Sequence, residues 1–262
     1  IEIPDSVKEI RDNCFEACIS LKSIKLPENG TVLYSECFVQ CISLSSIKIP
    51  ENIIIKDNYV FFKCYNLSSI EVPLSILNIK NKLFNNFKAS ITLTGNATKI
   101  EKSCFYSWEL ESITIPDWVT EIGDSAFSCC SNLKSIKLPK NLKSIGSYCF
   151  NKCSNLTTIT IPEGVKSICN NCFSNCGNLT TIKIPKGVES IGIFCFFNCS
   201  SLKTVTIPEG VKSIGNGCFF SCENLVSIEF PNSVTEIGEG CFLNCFNLRS
   251  VKLPENLMSI NK

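Results

Sequence analysis

All eleven prolines of this chain fall on one grid. They stand at Pro4, Pro27, Pro50, Pro73, Pro116, Pro139, Pro162, Pro185, Pro208, Pro231 and Pro254. Nine of the ten intervals are 23 residues, and the other, Pro73 to Pro116, is 43. Proline fixes φ and cannot donate to a β-ladder, so a proline at constant phase marks the same strand end in every turn of a repeat. A period of this length means a stack of like units, each packed only on its neighbours. The long interval fits two shortened coils with Thr94 in the proline slot.

The unit reads C-x-x-L-x-S/T-I-x-I-P-x-G/N-V-x-x-I-G-x-x-C-F-x-x-C, as in the stretch from Leu156 to Cys176, LTTITIPEGVKSICNNCFSNC. Its L-x-x-I-x-I part alternates as a strand with one buried face does. Gly164, Gly187, Gly210 or Asn141 just after the proline mark a turn. V-x-x-I is a second extended stretch, and C-F-x-x-C makes either one helical turn or a tight bend. Eleven residues after the proline slot stands an unbroken column: Phe15, Phe38, Phe61, Phe84, Phe105, Phe127, Phe150, Phe173, Phe196, Phe219 and Phe242. One aromatic at constant phase in every complete coil is a packing spine.

Composition narrows the chemistry. There are no histidines, which removes the usual general base, the Ser–His and Cys–His pairs and Cys/His zinc sites. With 25 basic against 24 acidic residues, the chain has no basic surplus for nucleic acid. No apolar run reaches the ~18–20 residues that span a bilayer. No signal peptide is visible, and both ends lie inside the repeat pattern, as expected of a piece of a longer protein.

The run I-P-x-x-V-x-x-I-G-x-x-C-F-x-x-C-x-x-L-x-x-I resembles the BspA-like, or Treponema-type, leucine-rich repeat over essentially the whole chain. Cysteine before the phenylalanine, with many Asn, Ile and Lys, resembles the protist members. The resemblance implies a curved solenoid with the L-x-x-I-x-I strands on its concave side. It also implies adhesion or protein binding, often at a cell surface, and it supplies no catalytic residues. The expected fold is therefore a β-rich leucine-rich-repeat solenoid. It is a right-handed stack of about eleven 23-residue coils with a concave parallel sheet, one domain over residues 1–262. The compartment stays open between a cell-surface or secreted home, from the resemblance, and the cytoplasm, from the abundant cysteines.

Seven of the coils carry a C-x3-C pair, from Cys14/Cys18 to Cys241/Cys245, and Cys64, Cys104, Cys129, Cys130 and Cys169 are single or displaced. Three readings are open: four-thiolate metal sites, disulfides between stacked coils, and buried free thiols acting as small hydrophobes. The slots exchange Cys for Val60, Leu83 and Ala126, or for Phe87 and Trp108, which favours apolar volume and no metal or cofactor. An odd total of 19 leaves at least one thiol unpaired under any bridging.

Two columns flank the second apolar position of the strand and point outward. One, four residues before the proline slot, is Ser or Thr in every coil from Ser23 to Ser250, and is expected to support the sheet as a hydroxyl ladder. The other varies: Lys25, Lys48, Glu71, Thr92, Thr114, Lys137, Thr160, Lys183, Thr206, Glu229 and Lys252. Variation on a regular scaffold is where recognition lives. Asn66, Asn155 and Asn178 open sequons in the slot before the leucine, with Asn96 and Asn198 two more, and that slot favours Asn for backbone bonding at the strand start.

The pattern breaks most over residues 50–118. Lys56 stands where Ile is usual, and the aromatics Tyr59, Tyr65, Tyr106, Trp108 and Trp118 gather. Trp108 replaces a core Cys and should fill volume; Trp118 replaces a turn residue and should be exposed. A second break is the apolar succession Phe197, Phe220 and Leu243 after the spine, with Phe246 nearby, which is either exposed or a thickening of the core. The sites expected for a protein partner are Lys25, Lys48, Glu71, Thr114, Lys137, Lys183, Trp118, Tyr106, Phe197 and Phe220. The expected function is a non-enzymatic binding or adhesion scaffold for a protein partner, without membrane insertion. The alternative is a structural spacer or assembly unit that self-associates.

Overall fold

A computed structural model describes residues 1–57, 59–79, 90–257 and 259–260; Leu83, Phe84 and Phe87, expected in the core, lie outside the described residues. The chain is a parallel β-solenoid of about ten turns of about 23 residues. It divides into two compact units, residues 1–97 with 108–113, and residues 98–107 with 114–262.

In the first unit, Ser46–Lys48, Ser69–Pro73 and Ser90–Thr94 pair in parallel, and Pro73 stands opposite Thr94. That places Thr94 in the proline slot, as the 43-residue interval implies. Glu9–Ile10, Val32–Leu33 and Ile54–Ile55 form the second ladder. Its register corrects one expectation. Leu33 pairs with Ile55, so Lys56 does not occupy the isoleucine slot and is exposed. The coil closes one residue early, which keeps the buried Ile55 inside and a charge out of the core. After Pro73 the usual turn gives way to the one described helix, Leu74–Ile79, with Leu74 and Leu77 fully buried.

In the second unit the first ladder includes Thr158–Thr160 with Thr181–Lys183, and Thr204–Thr206 with Ser227–Glu229 and Ser250–Lys252. The other runs through Ser167–Ile168, Ser190–Ile191, Ser213–Ile214, Glu236–Ile237 and Ser259–Ile260. Like residues meet in register, so each buried isoleucine covers the one before it. Between the ladders, the proline carbonyl accepts the N–H three residues on, as in Val165 to Pro162 and Val188 to Pro185, both within 3.2 Å. This is the expected turn.

The C-F-x-x-C corner is a tight bend, not a helical turn. Residues two before and two after the spine phenylalanine have positive φ, for example Tyr148 (57°) and Lys152 (59°), or Phe194 (51°) and Asn198 (56°). The left-handed conformation is costly for these side chains. It turns their N–H groups onto the next coil: Tyr148 donates to Asn170 O, Phe150 to Cys172 O and Lys152 to Ser174 O, at 2.8–2.9 Å. Three backbone bonds per corner thus replace a strand ladder.

The spine is continuous where described. Phe15, Phe38 and Phe61 stack with centroids 5.2 and 5.5 Å apart. From Phe105 to Phe242 the steps run from 4.9 to 5.9 Å, with rings within 7° of parallel. All nineteen cysteines are free thiols, fourteen of them buried. The second cysteine of the corner does more than fill volume. Its thiol donates to the spine carbonyl of the preceding coil: Cys176 to Phe150 O and Cys199 to Phe173 O, both at 3.1 Å. The same carbonyl already accepts the N–H of its own coil's cysteine, Cys153 to Phe150 O at 3.1 Å. The thiol takes its second lone pair, which Val or Ala cannot do. Burial pushes most of the buried thiols up, Cys37, Cys199 and Cys241 to about 12, so these are held in the neutral form, whereas a hydrogen bond with Cys64 lowers Cys41. Among the described residues no three metal-ligating side chains converge.

Candidate protein-interaction surface

The variable outward column of the first ladder is exposed throughout: Lys25, Lys48, Glu71, Thr114, Lys137 and Lys183 all project from the sheet. Regular pairing sets their spacing, since Lys48 stands opposite Glu71 and Thr160 opposite Lys183. Some charges are neutralised along the column. Lys25 Nζ lies 2.6 Å from Glu2, Lys48 lies 3.8 Å from Glu28, and Lys252 pairs with Glu229. The hydrogen bond that Lys25 donates to Glu2 raises the lysine's pKa. Lys137 and Lys183 make no ion pair among the described residues.

The hydroxyls that tie coils together sit one place earlier than the expected ladder. Ser68 Oγ donates to Ser45 O at 3.2 Å and Thr180 Oγ1 to Thr157 O at 3.1 Å. The next column, Thr158, Thr181 and Thr204, faces solvent. The asparagine slot before the leucine behaves as expected: Asn224 and Asn247 each donate to a carbonyl of the preceding coil at 2.8 Å. Asn178 instead donates to the Asn155 carboxamide at 3.2 Å.

The aromatic candidates fall on other parts of the coil. Trp108 is fully buried, as its place in a cysteine slot implies. Trp118 is 42% exposed on the turn after Pro116. Beside it, Asp117 accepts the Lys140 N–H at 3.2 Å, which lowers its carboxyl pKa. Tyr106 is exposed at the bend, its hydroxyl 3.7 Å from Cys129 Sγ. It shares a slot with Phe197 and Phe220, but Ser128, Asn151 and Ser174 separate them. Phe197 and Phe220 are brought together, half-buried, with centroids 5.3 Å apart. Leu243 and Phe246 beyond them are exposed. Where a following corner packs on it, at Phe197 and Phe220, the stripe is thus half-buried.

Sequence reasoning missed two aromatics of this corner. Phe194 is exposed and meets Phe197 edge to face, centroids 5.7 Å apart at 87°. Tyr59 and Phe62 repeat that geometry in the first unit, at 5.7 Å and 85°, with Lys63 Nζ 5.4 Å from the Phe62 ring centre. The available signal was an aromatic two places before the spine, where most coils carry a small or polar residue.

The family described as BspA type leucine rich repeat region matches in six copies, over residues 1–92, 85–192 and 166–262. The chain belongs to this family. Among solved structures, a leucine-rich repeat protein of Bacteroides ovatus is 29% identical, with 98% of this chain and 73% of that one covered and a TM-score of 0.71. A Treponema pallidum leucine-rich repeat protein is 30% identical over 64% of this chain and 80% of its own, TM-score 0.58. A Eubacterium ventriosum leucine-rich repeat protein, 17% identical with a TM-score of 0.56, shares the fold. No curated protein matches the chain. As in a BspA-type solenoid built of strands and bends, no described helix is long and apolar enough to cross a membrane.

Proposed function

We propose that this chain is a non-enzymatic scaffold that binds a protein partner through the outward face of its first ladder. The supporting observation is the uneven neutralisation of that face. Lys25, Lys48 and Lys252 are paired, whereas Lys137 and Lys183 stand exposed on paired strands with no ion pair among the described residues. Exposed cations outside any close ion pair suit an acidic patch on a protein and steer its approach. Membership of a repeat family generally built as binding scaffolds agrees with this role.

The test is capture with Lys137→Glu, Lys183→Glu and the double variant, with Lys252→Gln as a control on an already paired site. The double reversal should weaken binding at least about tenfold, and more at low salt than at high, while the control changes little. Capture undiminished by the double reversal would remove the sheet face from the function.

A further inference from the structure

The corner column two places before the spine contains a repeated seat that is filled in one coil and open in the next. Phe194, Gly217 and Gly240 occupy equivalent positions, all with positive φ: 51°, 58° and 62°. The Phe194 ring lies directly over Gly217. A Cβ added there would fall 2.2 Å from Phe194 Cε1, so Gly217 leaves the room that the ring uses. The ring is fixed on its other side by Phe197, edge to face at 5.7 Å. One coil on, the floor and the flanking phenylalanine recur, the Phe220 ring turned 38° from that of Phe197. Gly240 takes the place of Gly217 as floor, and Phe220 takes the place of Phe197 as flank. The occupant does not recur, because residue 217 has no side chain. A Cβ at Gly240 meets nothing within 4 Å. The seat is also accessible, since its flank Phe220 is half-buried although a further corner packs beyond it.

We propose that the open seat over Gly240, flanked by Phe220 and Leu243, binds an aromatic side chain presented by a partner protein, in the pose that Phe194 adopts over Gly217. This rests on the binding role proposed above and adds a specific anchor to it. The occupant's chemistry comes from the filled copy: a planar ring fits against bare glycine backbone, and its edge meets the face of the flanking phenylalanine. An aliphatic side chain would lose the edge-to-face contact, and a charged one would lose hydration against an apolar wall. Aromatic side chains in such seats are common anchors of interfaces.

The test uses the full chain, isotope-labelled for amide NMR, with N-acetyl-phenylalanine amide as probe and N-acetyl-leucine amide as control. The aromatic probe should shift the Gly240 and Leu243 amides at least about threefold more than the aliphatic one, through its ring current. Gly240→Asn puts a Cβ where the ring would lie. Asn13 and Asn171 already hold this slot at φ 60° and 54°, so the variant keeps the bend. It should abolish the shifts, and Gly240→Ala should do the same. Equal shifts from both probes, no shift at Gly240, or shifts that persist in both variants would overturn the proposal. Shifts at Gly240 that appear with protein concentration alone, and vanish in Phe246→Ser, would assign the seat to a second copy instead and overturn the partner assignment. The lysine reversals report on the sheet face independently, so loss of the seat leaves that reading standing.

Discussion

Phe173 shows what a single residue carries in this fold. Its ring is fully buried and stacked on both sides, 5.4 Å from Phe150 and 5.6 Å from Phe196. Phe173→Ala should cost about 3–5 kcal/mol, because a cavity opens where neither adjacent coil can collapse. Phe173→Leu, which keeps most of the buried volume, should cost less than half as much. Urea unfolding of both variants checks the ratio. The thiols add a pH dependence. Burial raises Cys37, Cys199 and Cys241 to about 12, against about 8.5 for an unfolded thiol. The folded state therefore keeps protons that the unfolded state releases. Stability is full below about pH 8.5 and falls between there and about pH 12, by ~1.4 kcal/mol per pH unit for each such thiol. Under reducing conditions the urea midpoint should drop clearly from pH 8 to pH 10; a flat profile contradicts the burial.

At the scale of the element, the coil is held by phase and tolerates local slips. Ile55, not Lys56, meets Leu33. Ile55→Ala should therefore cost about 2–4 kcal/mol, whereas Lys56→Ala should cost less than about 1. The reverse order in thermal or urea unfolding would restore the unslipped register. Much of this element was legible in the sequence. Proline phase gave the turn, alternation gave the strand, and the phenylalanine column gave the spine, because each rests on a residue type that can do little else there. Which of the two corner geometries forms, the bend or the helical turn, was not legible. The bend's left-handed φ is imposed by N–H groups reaching the next coil, and Tyr148, Lys152 and Phe194 adopt it as readily as Gly217 does. The slip at Ile55 was hidden for a related reason: a run of three isoleucines, 53 to 55, offers two registers that only the neighbouring coil decides. On the candidate surface, the outward columns followed from strand periodicity. The Phe194 seat did not, since it depends on what the next coil lacks.

For the whole molecule, energetics are local and additive. Most tertiary hydrogen bonds join residues 22 to 26 apart, so each coil of the second unit meets its neighbours through nearly the same bonds. Stability should then grow by coil and not by a single core. Removing residues 165–187 joins Gly164 to Val188 and keeps every slot in phase. The shortened protein should fold cooperatively, with a lower denaturant m-value in proportion to its lost surface. Removing residues 165–176 instead joins Gly164 to Gly177 and leaves half a coil without its second strand and corner, and that variant should fail to give a cooperative transition. If both deletions behave alike, phase is not what holds the stack.

The buried thiols have one more consequence, for how the protein's history can be known. Most coils of the second unit carry a sulfur that is unreactive while covered and nucleophilic once bared. Every transient opening would let an electrophile leave a permanent mark at one known address along the chain. Peptide mapping after a brief exposure to an alkylating agent would then read out which coils had breathed, and how often. Without any engineered label, the molecule is its own tape recorder, with a track position every 23 residues.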